Sequence, residues 1–133
     1  MTQYFTPNDV NAILPELNEL LQDVLERRAR IVRQLERGDV DDVTAQNETG
    51  SAAASKMAYE FGMVEDLVDQ IRSYGCEIKD LNSGLIDFLA RRRGRDVYIC
   101  WRYGEPLHAT WYHELHTGFH GRKAIRSSDF EQR

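Results

Sequence analysis

The sequence has few cysteines and no long apolar run. Cys76 and Cys100 are the two cysteines of the 133-residue chain, too few for the disulfide framework that stabilises many small secreted domains. Both are therefore predicted to be free thiols. No apolar stretch approaches the roughly 20 residues that a membrane-spanning helix needs, and the first residues, MTQYFTPNDV, lack the basic start and apolar core of a secretory signal. We expect a cytoplasmic protein that does not bind membranes.

An excess of positive charge is also missing, since the formal net charge is -5. Residues 1–75 carry 14 acidic and 7 basic side chains, net -7, and residues 76–133 carry 8 acidic and 10 basic, net +2. A surface that binds duplex nucleic acid is strongly basic, because phosphate neutralisation supplies most of the affinity. The first half of the chain excludes such a surface, and the second half allows only a local basic patch.

The remaining composition indicates one globular domain. Hydrophobic residues make up 41% and charged residues 29%, as in ordinary soluble domains. A chain of this length can bury one core but not two. The predicted domain spans residues 1–133, with a helix hairpin over about 6–75, a sheet and C-terminal loop over about 76–125, and a tail over 126–133.

The first helix is indicated by its capping residues. Thr6 is a predicted N-cap, Pro7 suits the first helical position and Asp9 completes a capping box. Apolar residues then recur at spacings of mostly four and three: Val10, Leu14, Leu17, Leu21, Val24, Ile31 and Leu35. This pattern predicts an amphipathic helix of about 30 residues with a coiled-coil-like apolar seam.

A polar segment separates this helix from a second one. GDVDDVTAQNETG, residues 38–50, has glycine at both ends and is predicted to be a mobile loop. An apolar stripe follows at Met57, Phe61, Val64, Leu67, Val68, Ile71 and Tyr74, and Gly75 is a suitable C-terminal cap. Two long helices joined by one loop predict an antiparallel hairpin.

The period changes towards two after Cys76. EIKDL, GLIDFLA, DVYICWR and LHATWYH are predicted to be short strands, separated by turn-forming residues. Their close spacing predicts an antiparallel meander. With the helix hairpin packed on one face of that sheet, the predicted fold class is α+β.

Four motifs carry a family resemblance: NAILPEL, KDLNSGLIDF, GRDVYICWRYGE and YHELHTGFHGR. On these, from Phe5 to about Ile125, the chain resembles small bacterial and archaeal proteins of domain of unknown function twenty-two-oh-three (DUF2203). The resemblance implies the helix hairpin and the sheet, and it supplies no activity. It implies a structural motif that consists of Trp101, Gly118, Phe119, Gly121 and Arg122. His113 also fits the family pattern, whereas His116 and His120 are peculiar to this chain.

The histidines cluster between residues 108 and 120. Zinc favours imidazole and carboxylate ligands, and HELH places two imidazoles and an acid within four residues. One hypothesis is therefore a site for zinc or another divalent transition metal with the ligands His113, Glu114, His116 and His120. The spacing differs from the HExxH helix, whose histidines lie one turn apart. The alternative is that these histidines are exposed or hydrogen-bonded after the last strand.

Strand parity singles out one of the histidines. A regular strand from Leu107 to His113 places Trp111 and His113 on the same face, predicted to be the core face, and His108 and Tyr112 on the other. His113 is then expected to be buried and to need a partner.

Asp87 is the predicted partner of His113 or of Arg122, because an acid in an apolar strand is costly unless it is paired. His113 with Asp80, Asp87 or Glu105 would be able to form a general acid–base pair. No nucleophile, phosphate loop or cofactor fingerprint accompanies these residues, so we favour a structural role in which they fix the GFHGR loop on the sheet. Cys100 is expected to be a packed thiol.

The densest basic run is RRRGR, which contains Arg91, Arg92, Arg93 and Arg95. Such a turn near aromatic residues is a weak candidate for single-stranded nucleic-acid binding. The leading hypothesis is instead a non-enzymatic interaction module, with no identified protein partner, that forms homo-oligomers through the helix hairpin. The apolar stripe on both helices and the lack of catalytic signatures motivate it.

Overall fold

Two helices precede a five-stranded antiparallel sheet, so the fold class is α+β. The structure, a computed structural model, describes residues 2–38 and 48–130. The helices are α1, Pro7–Glu36, and α2, Glu48–Arg72. The strands are β1 (Glu77–Asp80), β2 (Leu85–Arg92), β3 (Arg95–Arg102), β4 (Trp111–Glu114) and β5 (Lys123–Ala124). None of the described helices has the length and apolar character needed to span a membrane.

Helix α1 begins with the capping box that the sequence predicts. The Asp9 backbone N–H donates to Thr6 Oγ1 at 3.1 Å, and the Thr6 N–H donates to Asp9 Oδ2 at 2.9 Å. Pro7 occupies the first helical position, where its missing N–H is no loss. The helix runs for 30 residues, and the prediction of its start and length is confirmed.

Helix α2 begins earlier than the sequence suggested. The loop predicted over residues 38–50 lies mostly outside the described residues, but residues 48–50 belong to α2, so the predicted loop is too long. The three alanines at 52–54 have the highest helix propensity, which favours extension of the helix into this segment. The helix ends at Arg72, and Gly75 follows with φ 92°, the backbone region expected of a glycine stop.

The sheet is a meander in which each strand pairs with the next along the chain, in the order β1-β2-β3-β4-β5. Strands β2 and β3 pair from Leu85↔Arg102 to Arg92↔Arg95. Arg93 and Gly94 form the two-residue connection, with φ 51° and 78°. Positive φ at both positions matches the strand twist and makes a tight hairpin.

One hydrophobic core joins the helices to one face of the sheet. Leu14, Leu17 and Leu21 of α1 and Ile71 of α2 are fully buried in it. The sheet contributes alternate residues, as a period of two requires: Ile86, Phe88, Ala90, Val97, Ile99, Trp101 and Tyr112. Phe130, which the sequence assigned to a tail, is also in this core and packs edge-on against Tyr112 at 5.7 Å.

The strand predicted over LHATWYH is shorter and faces the other way. It begins at Trp111, and the segment before it starts with Pro106, whose backbone oxygen accepts a hydrogen bond from Trp101 Nε1 at 3.1 Å. Trp111 and His113 do share a face, but it is Tyr112 that joins the core. The prediction that His113 lies on the core face is wrong. Both faces of this strand are covered, so alternation alone could not choose between them.

Candidate functional site

The sheet face opposite the helices, called the outer face here, carries a buried polar cluster. Asp87 on β2 is paired with Cys100 on β3, and Tyr98 on β3 is paired with His113 on β4. Because residues two apart on a strand share a face, these side chains all project outward. Asp87 and His113 are nevertheless only 2% exposed and Cys100 is 1% exposed.

His113 is hydrogen-bonded at both ring nitrogens. Its Nε2 lies 2.9 Å from Asp87 Oδ2, and its Nδ1 lies 2.7 Å from the backbone oxygen of Glu114. A carbonyl oxygen only accepts, so Nδ1 carries a proton. The contact between Nε2 and Oδ2 needs a second proton, held by the imidazole or by the carboxyl group. Either way, the Asp87–His113 pair is electrically neutral as a whole.

The surroundings of Asp87 disfavour its free carboxylate. Burial raises the pKa of Asp87, while the charge of His113 and hydrogen bonding from Cys100 and His113 oppose the increase. Its second oxygen, Oδ1, is buried and has no hydrogen-bond partner of regular geometry among the described residues. A buried polar atom in this state costs about 1–3 kcal/mol. Oδ1 is therefore open to a further donor or to a cation.

Cys100 completes a group of three potential metal ligands. One ligand atom each from Asp87, Cys100 and His113 lie within 4.8 Å of one another, and no other such group is found within residues 2–38 and 48–130. Burial, followed by the neighbouring Asp87, raises the pKa of Cys100 to about 12. The thiol is thus protonated at neutral pH, which excludes it as a nucleophile in the metal-free state.

A cavity of about 290 Å³ opens onto this cluster, and its lining includes Lys79, Asp87, Tyr98, His113 and Thr117. The Tyr98 hydroxyl donates to Glu77 Oε2 at 2.6 Å. That hydrogen bond is the main reason why the pKa of Tyr98 is raised to about 12 and the pKa of Glu77 is lowered. Lys79 lies over the Tyr98 ring at 4.7 Å. One wall of the cavity is therefore polar and fixed.

The segment after β4 covers the outer face through an arginine placed between two aromatic rings. The Arg122 guanidinium lies 4.5 Å from the Phe119 ring centre and 5.2 Å from that of Trp111. Its Nη2 donates to Glu105 Oε1 at 2.8 Å. Gly121 is needed because a Cβ there would collide with the Thr117 side chain. These contacts give Phe119, Gly121 and Arg122 an architectural role.

The four predicted metal ligands do not form one group of close ligand atoms, although His113 and His116 line the same cavity. Only His113 belongs to the convergent group. Glu114 lies 3.6 Å from Lys123 Nζ, whereas His116 and His120 are exposed, with His120 edge-on to the Phe119 ring at 5.7 Å.

The three candidate partners of His113 also separate. Asp87 contacts it. Asp80 is exposed and accepts hydrogen bonds within its own turn, and Glu105 binds Arg122 and the Arg102 backbone N–H. Sequence analysis did not connect Cys100 with Asp87 and His113. These residues meet through the strand register, and their spacing along the chain does not indicate the contact.

The arginine turn is largely engaged by carboxylates. Arg92 and Arg93 contact the two oxygens of Asp129 at 3.0 and 2.9 Å, and Arg91 contacts Asp96 at 3.4 Å. Arg93, and to a smaller extent Arg92, lower the pKa of Asp129. Arg91, Arg92 and Arg93 are thus held by internal contacts, which weakens the case for a nucleic-acid site here.

Comparison with known proteins identifies a family without assigning an activity. No curated protein and no solved structure matches the chain. A family model described as "Uncharacterized conserved protein (DUF2203)" matches residues 3–125 of the 133. The match covers both helices and the whole sheet, and it confirms the resemblance carried by the four sequence motifs. The chain belongs to the DUF2203 family.

Proposed function

We propose that the protein is a non-enzymatic assembly module that forms homo-oligomers through the far end of its two helices. The observation that carries this proposal is a change in exposure along the apolar stripe of α1. Leu14, Leu17 and Leu21 are fully buried, whereas Val32 and Leu35, further along the same helix, are each 51% exposed. Val32 and Leu35 lie three residues apart and so share a face of the helix, and neighbouring apolar side chains left open in this way are a candidate interaction site.

Contacts between the helices support an antiparallel hairpin. Ile13 on α1 and Tyr74, just after α2, line one cavity, while Arg27 contacts Glu60 at 3.0 Å. The start of α1 therefore lies near the end of α2, and residues later in α1 lie beside residues earlier in α2. The distal hairpin, defined as residues 25–36 and 52–66, is the end away from the start of α1.

Most of the distal hairpin lies beyond the main core, although Val64 still packs against that core. Ile31 and Met57 are buried there but are not members of the core cluster that joins the helices to the sheet. Phe61, one turn after Met57, is 49% exposed. The helices cover each other in this region, and part of their apolar surface stays uncovered.

A second copy of the chain complements this surface in charge as well as in apolar character. Residues 25–36 carry four basic and two acidic side chains, and residues 52–66 carry three acidic and one basic. Within one chain this complementarity is used by Arg27 and Arg30, which both contact Glu60. A two-fold interface that places α1 of each copy beside α2 of the other repeats the same pairing.

The expected association is weak. Val32, Leu35 and Phe61 are about half exposed, so burying the rest contributes about 1 kcal/mol each. The six side chains of a two-fold pair then supply about 6 kcal/mol, to be set against the loss of free motion on binding. Association at protein concentrations on the order of 100 µM, which we expect, corresponds to about 5–6 kcal/mol net. The apolar contacts alone do not reach this value, so the charge pairs and the rim of the interface must supply the remainder.

Sedimentation velocity over a concentration series tests this proposal. The native chain should shift from monomer to oligomer, and Leu35→Glu and Phe61→Glu should each remain monomeric. Leu107→Glu is the matched control, because Leu107 is 44% exposed but lies outside the helices. A native chain that is monomeric at high micromolar concentration would refute the proposal, as would a loss of assembly in the control.

A cytoplasmic location is part of the same proposal. Cys76 and Cys100 are both buried and free, as expected in a reducing compartment.

A further inference from the structure

We propose that Asp87, Cys100 and His113 bind one divalent transition metal ion, with zinc as the best match. This site lies on the outer face of the sheet and does not depend on self-association through the helices. Imidazole nitrogen, thiolate sulfur and carboxylate oxygen are the three ligand types that zinc takes in proteins. The set differs from the histidine cluster suggested by the sequence, because it draws one residue from each of three adjacent strands.

The spacing of the ligand atoms is compatible with one ion. They lie within 4.8 Å of one another, and His113 Nε2 is 2.9 Å from Asp87 Oδ2. Tetrahedral zinc with bonds of about 2.0–2.3 Å separates its ligand atoms by about 3.3–3.7 Å. The nitrogen and oxygen must therefore move apart, and any pair of ligand atoms near the 4.8 Å limit must move closer, in each case by about 1 Å.

His113 is already oriented as a ligand. Its Nδ1 donates to the Glu114 backbone oxygen at 2.7 Å, which leaves Nε2 directed into the cluster. Histidines that bind metals usually donate their other ring N–H to a carbonyl or carboxylate in this way. The bond fixes both the tautomer and the ring plane before any ion arrives.

Asp87 supplies an independent indication. Its side chain is only 3% exposed, yet Oδ1 has no hydrogen-bond partner of regular geometry among the described residues. A cation bound by the carboxylate would supply a further partner to this group without removing it from the sheet interior.

The charge balance favours a divalent ion. In the metal-free state the thiol is neutral and the Asp87–His113 pair is neutral, so the buried cluster has no net charge. Binding removes the Cys100 S–H proton and the proton shared by the pair, which leaves a thiolate, a carboxylate and a neutral imidazole. Two negative charges then face one doubly charged cation, and the cluster is again neutral. A buried site that stays neutral avoids the desolvation cost of an isolated charge.

The fourth coordination position is open. Asp87 and His113 line the cavity of about 290 Å³ described above, so a water molecule can reach the ion from that side. Three protein ligands and one open position distinguish this arrangement from a closed structural zinc site.

Loading with Co²⁺ and Zn²⁺ tests the site directly in protein purified without an affinity tag. Co²⁺ should bind at one ion per chain and give a thiolate-to-cobalt charge-transfer band together with the visible absorption of a tetrahedral ion. Zn²⁺ should displace Co²⁺. In a separate titration, Zn²⁺ binding to the metal-free protein should release two protons per ion, measured by calorimetry in buffers of different ionisation enthalpy. Cys100→Ser should abolish the charge-transfer band and weaken Zn²⁺ binding at least tenfold.

Matched variants distinguish this site from binding by the second thiol or by the exposed histidines. Cys76→Ser removes the other buried thiol, and the double variant His116→Gln/His120→Gln removes the exposed histidines; both should bind as the native chain does. Circular dichroism in EDTA establishes that each variant is folded, and Asp87→Asn provides a second ligand variant should Cys100→Ser be unfolded. Substoichiometric binding by the native chain, or loss of binding only in the His116/His120 variant, would overturn the proposal. Sedimentation in EDTA keeps this result separate from the assembly proposal.

Discussion

Replacement of Asp87 by alanine probes the most buried polar side-chain contact among the described residues. The substitution removes the hydrogen bond to His113 Nε2 and leaves an imidazole that is 2% exposed without its partner. Removing one member of a buried, hydrogen-bonded pair typically costs about 3–5 kcal/mol. A domain of this size has a free energy of unfolding of about 5–15 kcal/mol, so Asp87→Ala should remove about a fifth or more of the stability.

Urea unfolding in the presence of EDTA measures this loss without any contribution from bound metal. Asp80→Ala is the control, because Asp80 is an exposed acid whose hydrogen bonds stay within one turn; it should cost about 1 kcal/mol or less. The double variant Asp87→Ala/His113→Leu should be more stable than Asp87→Ala, since it no longer buries an unpaired imidazole. Equal losses in Asp87→Ala and Asp80→Ala, or additive effects in the double variant, would refute the reasoning.

Three further outcomes are expected. Gly84→Ala should destabilise the protein by at least about 1 kcal/mol more than Gly94→Ala, although both glycines have positive φ, because a Cβ at Gly84 would overlap a tyrosine side chain and one at Gly94 meets open space; equal losses in chemical denaturation would contradict this. Thr6→Ala should lower the free energy of unfolding by about 1 kcal/mol through loss of the helix cap, and an unchanged urea midpoint would count against that role. The pKa of Asp129 is lowered in the folded state, so its ionised form stabilises the fold at pH values above the unfolded-state pKa, and this contribution is lost as pH falls through the folded-state pKa. Asp129→Asn should therefore lose less stability than the native chain as pH falls. Identical pH profiles of stability for the two proteins would exclude the linkage.

The local features of the chain were predictable because their causes lie within a few residues. The capping box of Thr6 and Asp9 marks the start of α1, and Gly75 marks the region where α2 stops. The alternation of DVYICWR gives β3 its two faces. Each of these signals operates through backbone hydrogen bonds or side-chain spacing that the sequence alone determines.

The candidate site was predicted only in part because it depends on strand register. Nothing in the spacing of Asp87, Cys100 and His113 along the chain indicates that they meet; β2–β3 and β3–β4 pairing brings them together. The prediction of the sheet face on which His113 lies was wrong for a related reason. Trp111 and Tyr112 are both large aromatic residues, and only the packing of Tyr112 against Phe130 and the core decides which of them turns towards the helices.

Strand β2 is where opposite ends of the described chain meet. The Phe5 backbone N–H donates to the Leu89 oxygen at 2.7 Å, and Phe130 forms an isolated β-bridge with Arg92. The side chains of Phe5 and Phe130 are both buried in the core. Contacts between residues so far apart in sequence require the closure of large loops. The entropy cost of loop closure comes before the contacts can stabilise the fold, and this slows folding. The sheet edge near the arginine turn should thus be among the last parts of the domain to become ordered, and removal of either end segment should destabilise the other.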